Sequence, residues 1–96
     1  MLVMIIGGQQ RELPTRFVSQ AVYDACSLAQ PWDPQRYQFV EIGDVLPAWV
    51  TADEQTRLQP LTTLAELEQF VDDVGLRPIL DGDFYAWQRG ERLPHA

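Results

Sequence analysis

The sequence predicts a small mixed α/β domain with the element order β-α-β-α-α-β-β, and three observations carry that prediction. Leu2-Val3-Met4-Ile5-Ile6 is an unbroken apolar run closed by Gly7-Gly8, the pattern of a strand buried on both faces in a sheet covered by helices. Phe17, Val18, Ala21, Val22, Ala25, Cys26, Leu28 and Ala29 recur at spacings of three and four, which lays a wide apolar stripe along one helix face. Thr51-Ala52-Asp53-Glu54 and Thr63-Leu64-Ala65-Glu66 both have the capping-box form, in which hydroxyl and carboxylate satisfy each other's backbone donors at a helix start.

The remaining elements follow in order. Pro14 suits the first turn of the first helix, and Pro31-Trp32-Asp33-Pro34 stops it. Tyr37 to Ile42 is rich in β formers and makes the second strand, parallel to the first through a right-handed crossover. Pro47 keeps the next stretch out of regular structure. The first capping box opens a short helix that ends before Pro60. The second opens a longer one with Leu64, Leu67, Phe70, Val71 and Val74 on one face. Gly75 then stands where a left-handed C-cap is wanted, with Leu76 to make the accompanying apolar contact. Pro78 to Leu80 is a short strand, Asp81-Gly82 a hairpin turn, and Phe84 to Trp87 the partner strand.

Residues 1–96 are expected to form one domain with one core, since a chain of this size buries roughly 60–70% of its unfolded surface. The longest apolar run, Leu2 to Ile6, is too short for a membrane span or a signal peptide, and no basic segment precedes it. A single cysteine, Cys26, excludes an internal disulfide and fits a reducing compartment, so the expectation is a soluble cytoplasmic protein. Fourteen acids stand against seven bases, all arginine, for a net charge of −7. The absence of lysine removes Schiff-base and P-loop chemistry. The acidity argues against a nucleic-acid backbone, which needs a basic surface, and is compatible with a basic protein partner.

Strand–helix–strand, then helix–proline–strand–Asp-Gly–strand, resembles the thioredoxin-like fold, and "GLRPILDGDFYAW" is similar to the segment around that family's cis-proline. The resemblance implies that Pro78 is the cis-proline and that Gly7 to Leu13 stands at the redox loop. "GGQQREL" holds no cysteine, so it implies a redox-inactive variant. The closing helix of the fold is expected to be missing, because only Gly90 to Ala96 remain. "GGQQREL" with "VEIGDVLP" is also similar to the opening of flavodoxin-like flavin reductases, where a polar loop after the first strand holds the flavin phosphate.

Little here promises chemistry. Cys26 lies on the apolar helix face, where a buried thiol is inert. His95 is the only histidine and sits in the tail, so neither a histidine–cysteine zinc cluster nor a Ser-His-Asp triad is expected. Asp72-Asp73 and Asp81-Gly82-Asp83 lack the spacing of a calcium loop. Gly7-Gly8 ahead of a helix could cradle a phosphate with Arg11 close by, although a plain turn is the simpler reading. No catalytic residue, metal or cofactor is expected.

The aromatics are the other resource. Trp32 and Trp49 fall in proline-containing stretches, poor places for core tryptophans. By the two-residue period, Tyr85 and Trp87 share one strand face and Phe84 and Ala86 the other. With Phe84 inward, Tyr85 and Trp87 stand exposed on an edge strand; the competing reading has them covering the sheet's open face. The expected binding residues are Tyr85, Trp87, Trp49 and Arg11. The functional expectation is a small, acidic, non-catalytic protein-binding or regulatory module that binds a protein partner or itself, most simply as a homodimer. The alternatives are a flavin- or nucleotide-binding protein using the Gly7 to Arg11 loop, and an inhibitor or immunity-type protein that blocks a basic partner.

Overall fold

Ten elements follow one another along the chain: β1 (Leu2–Ile6), β2 (Gln9–Leu13), β3 (Thr15–Val18), α1 (Gln20–Ser27), β4 (Tyr37–Ile42), β5 (Leu46–Thr51), α2 (Ala52–Leu58), α3 (Leu64–Val74), β6 (Arg77–Leu80) and α4 (Asp81–Gln88). The structure, a computed structural model, describes residues 2–43 and 46–91. Strands β1 and β2 form a two-stranded antiparallel sheet of their own. The other four make a mixed sheet in the order β4-β5-β3-β6, with β3 and β5 parallel and the remaining pairs antiparallel.

The register sorts the side chains of the mixed sheet onto two faces. Val18, Tyr37, Trp49 and Ile79 share one face and pack with Val22, Ala25 and Cys26 of α1 and with Phe84 and Trp87 of α4. Val40, Ile42, Ala48 and Val50 share the other and pack with Phe70 and Val74 of α3, while Leu58 of α2 closes the edge of that cluster. The sheet is therefore the middle of three layers, with α1 and α4 on one side and α2 and α3 on the other.

Local signals predicted the start of α2 and both ends of α3. Thr51 accepts from the Glu54 backbone N–H while the Glu54 carboxylate accepts from the Thr51 N–H, a complete capping box. Thr63 caps α3 through the Glu66 N–H. Gly75 ends that helix at φ 63°, the left-handed conformation that a side chain disfavours, and Leu76 packs against the α3 cluster.

Several expectations are corrected. The first strand is not sandwiched between helices: it pairs with Gln9–Leu13, a second strand where a loop is expected, and Val3 and Ile5 are 49% and 78% exposed. Gly7 and Gly8, at φ 59° and 78°, form the two-residue hairpin connection, whose twist suits antiparallel strands and needs positive φ at both positions. The first helix does not begin at Pro14. The apolar spacing of three and four runs unbroken across a strand and a helix, and the boundary is Ser19, whose side chain accepts from the Val22 N–H. The parallel pair is consequently β3 and β5, not the first and second predicted strands.

Pro47 lies inside β5, opposite Glu41 and one residue before the first β3 partner, Ala48, so its missing N–H interrupts no ladder with β3. The expected C-terminal hairpin is a helix instead. Asp81 and Asp83 fall in its first turn, where acids favour the positive helix end, and Phe84 and Trp87 lie three apart on its buried face. A helix therefore does close the described chain, contrary to the expectation. No cis peptide bond occurs among the described residues, so the bond before Pro78 is trans.

Candidate functional site

Trp87 belongs to the core. It is 1% exposed, and its indole N–H donates to the Gln30 carbonyl at 2.7 Å, so both its body and its polar end are spoken for. Trp32, placed by the proline-rich loop after α1, is the hub around it. Its ring lies 5.2–5.7 Å from those of Trp49, Phe84, Trp87 and Tyr37. The edge-to-face contacts among these rings are the arrangement aromatic quadrupoles favour. Trp32 and Trp49 are thus half-buried parts of the packing, not surface tryptophans.

Tyr85 stays on the surface at 42% exposure, but on a helix and apart from Trp87. Arg16 of β3 lies over its ring at 4.7 Å and over that of Phe84 at 5.0 Å, donates to the Tyr85 hydroxyl, and pairs with Asp81 at 2.7 Å. This cation stitches β3 to α4. Beside it a shallow pocket of about 280 Å³ is lined by Thr15, Arg16, Phe39, Pro47, Trp49 and Asp81. Phe39, opposite Trp49 in the neighbouring strand, packs edge-on against that ring at 5.6 Å and leaves 49% of itself exposed.

Phe39 stands on β4, and β4 is an edge. Among the described residues it pairs with β5 alone, leaving one side of a six-residue strand without a ladder partner. The opposite edge, β6, has four residues, and Pro78 removes one of its donors, a common way of blunting an edge. At the end of β4, on the sheet face away from Phe39, an apolar cleft of about 770 Å³ opens between Ile42 and Leu46 and the α3 residues Leu64, Leu67 and Val71, with Glu68 and Asp72 beside them. Leu64 is 71% exposed.

The groups with chemical potential are enclosed. Ser19 is fully buried; its hydroxyl donates to Glu54 at 2.7 Å and accepts from the Val22 N–H, so it ties the start of α1 to the start of α2. Cys26 is buried as expected, and burial pushes its thiol up to about 12. The Gly7-Gly8 pair turns a hairpin and precedes a strand, so the helix end that would have held a phosphate is absent there. The Arg11 side chain and His95 lie outside the described residues.

Of the four expected binding residues, Trp49 lines the pocket beside Arg16, Tyr85 lies under the Arg16 cation at the surface, Trp87 is buried in the core, and the Arg11 backbone lies in the separate hairpin, opposite Met4. Sequence reasoning missed Phe39, Arg16 and Leu64. The two-residue period puts Phe39 on one face of β4 with Tyr37 and Glu41, but nothing local marks a strand as the edge. The chain matches no protein-family model, no curated protein and no solved structure.

Proposed function

We propose that this chain is a small acidic protein-binding module without catalytic residues, which associates with a second copy by accepting a strand at the open edge of β4. The observation that carries the reading is that edge: a six-residue strand that, among the described residues, is paired on one side only, with a half-exposed Phe39 on one face and an apolar cleft on the other. Added strands gain affinity from main-chain hydrogen bonds and specificity from pockets for alternate side chains, and this edge offers both. Phe39, Trp49, Tyr85 and Arg16 beside it are the residue types that dominate binding energy at interfaces.

A thioredoxin-like outline belongs to the same proposal. Its support is the parallel pair β3 and β5 on either side of α1, followed by helices and by β6 opening near Pro78; β4 between α1 and β5, and α4 in place of a final strand, depart from it.

The test is light scattering across a concentration series, comparing the natural chain with Phe39→Lys, which sets a charge on the edge. The natural chain is expected to be a dimer. The variant, with unchanged far-UV circular dichroism, is expected to dissociate ~10–100-fold more readily, since burying a phenylalanine ring contributes roughly 1.5–3 kcal/mol. A natural chain that stays monomeric at every concentration, or a variant of unchanged size, would overturn the reading.

A further inference from the structure

We infer that the strand filling the β4 edge is β1 of a second copy, donated with its hairpin and exchanged reciprocally. The inference rests on the proposed role of that edge. The hairpin itself demands a cover. Among the described residues its strands bond to each other and to no other sheet, a two-stranded hairpin alone is marginal in water, and Val3 and Ile5 are exposed. All five residues of β1 are apolar, the pattern of a strand with layers on both faces. The β4 edge supplies such a place, with the aromatic layer on one side and the α3 cleft on the other. Five residues of β1 match the six of β4.

The chain's own hairpin cannot take that place. If β1 paired with β4 of its own sheet, β2 would lie outside it, four strand spacings from β3 in the order β2-β1-β4-β5-β3, or about 19 Å. Only Pro14 separates β2 from β3, and the step from Leu13 to Thr15 spans no more than about 7 Å. The strand must come from another molecule.

Charge favours the same element. Residues 2–13 carry Arg11 and Glu12 and no net charge, in a chain of net charge −7, so the hairpin approaches Glu68 and Asp72 at the cleft with less repulsion than the rest of the molecule would meet. Because each copy has one such hairpin and one β4 edge, mutual exchange closes the assembly as a two-fold dimer.

The experiment uses Ile5→Glu and Leu64→Glu in the full chain, both at exposed positions. Each variant alone is expected to dissociate at least tenfold more readily than the natural chain. Mixed together they are expected to form a heterodimer, because the intact hairpin of the Leu64→Glu copy meets the intact cleft of the Ile5→Glu copy. Independently of any variant, a mixed isotope-labelled sample of the natural chain is expected to give intermolecular methyl contacts between Ile5 and the α3 leucines. If Ile5→Glu keeps the dimer while Phe39→Lys breaks it, the hairpin is not the donor and the β4 reading stands. A monomeric natural chain removes both. A mixture that fails to associate, or labelled samples without those contacts, overturns the exchange.

Discussion

Trp87 and Cys26 are single side chains whose surroundings decide their roles. As a strand residue Trp87 would alternate with Phe84; as a helix residue it falls three positions on, and both rings enter one core. The sequence does not distinguish these, because aromatics suit either. Cys26 was legible: its place on the apolar stripe predicted burial, and the thiol is 1% exposed. The native chain should therefore react slowly with a maleimide near pH 7.5 and fully after unfolding. A pH dependence follows. The folded thiol is raised from 9.0 to about 12, so the unfolded chain ionises first as pH climbs. The contribution is fully present below pH 9 and lost as pH rises toward 12. Burial raises the Tyr37 hydroxyl as well, with the same sign. The urea midpoint should fall over that window, and Cys26→Ala should flatten the fall in part. Rapid native labelling, or an unchanged slope in the variant, would contradict this.

Elements were legible where their signals are local. Capping boxes, the Gly75 stop and the β4 sequence pattern each act within a few residues, and each placed its element correctly. What failed depended on distant partners. The stretch from Pro14 to Val18 keeps helical spacing, yet pairs with β5 and β6 across the chain. Asp-Gly is a strong hairpin signal, yet here it opens α4, with the Asp81 N–H donating to the Pro14 carbonyl. The edge that makes the candidate site was not legible at all, because strand order is set by tertiary packing. Ser19 is where one local signal was missed, and it is testable. Ser19→Ala removes both the α1 cap and the hydroxyl bond to buried Glu54, and should cost roughly 2–3 kcal/mol in urea unfolding. A loss below about 0.5 kcal/mol would show that neither bond matters to the fold.

The molecule measures 45 × 30 × 17 Å, a three-layer body with a separate hairpin. No helix among the described residues is long and apolar enough to cross a membrane. At this scale the exposed large apolar side chains among the described residues lie on the hairpin, at the α3 cleft and at Phe39 on the β4 edge, with Leu28 after α1 and Tyr85 on α4 besides. Two copies of charge −7 repel, but salt screens that repulsion beyond ~8 Å at physiological ionic strength, so the proposed association needs apolar contacts to outweigh only the charges close to the interface. The most direct measurement is amide hydrogen exchange, resolved by residue, at low and high protein concentration. If β4 accepts a strand from a second copy, its amides left unpaired by β5 become protected as concentration rises, while the outer amides of β6 keep exchanging fast. Equal, concentration-independent exchange at both edges would contradict it.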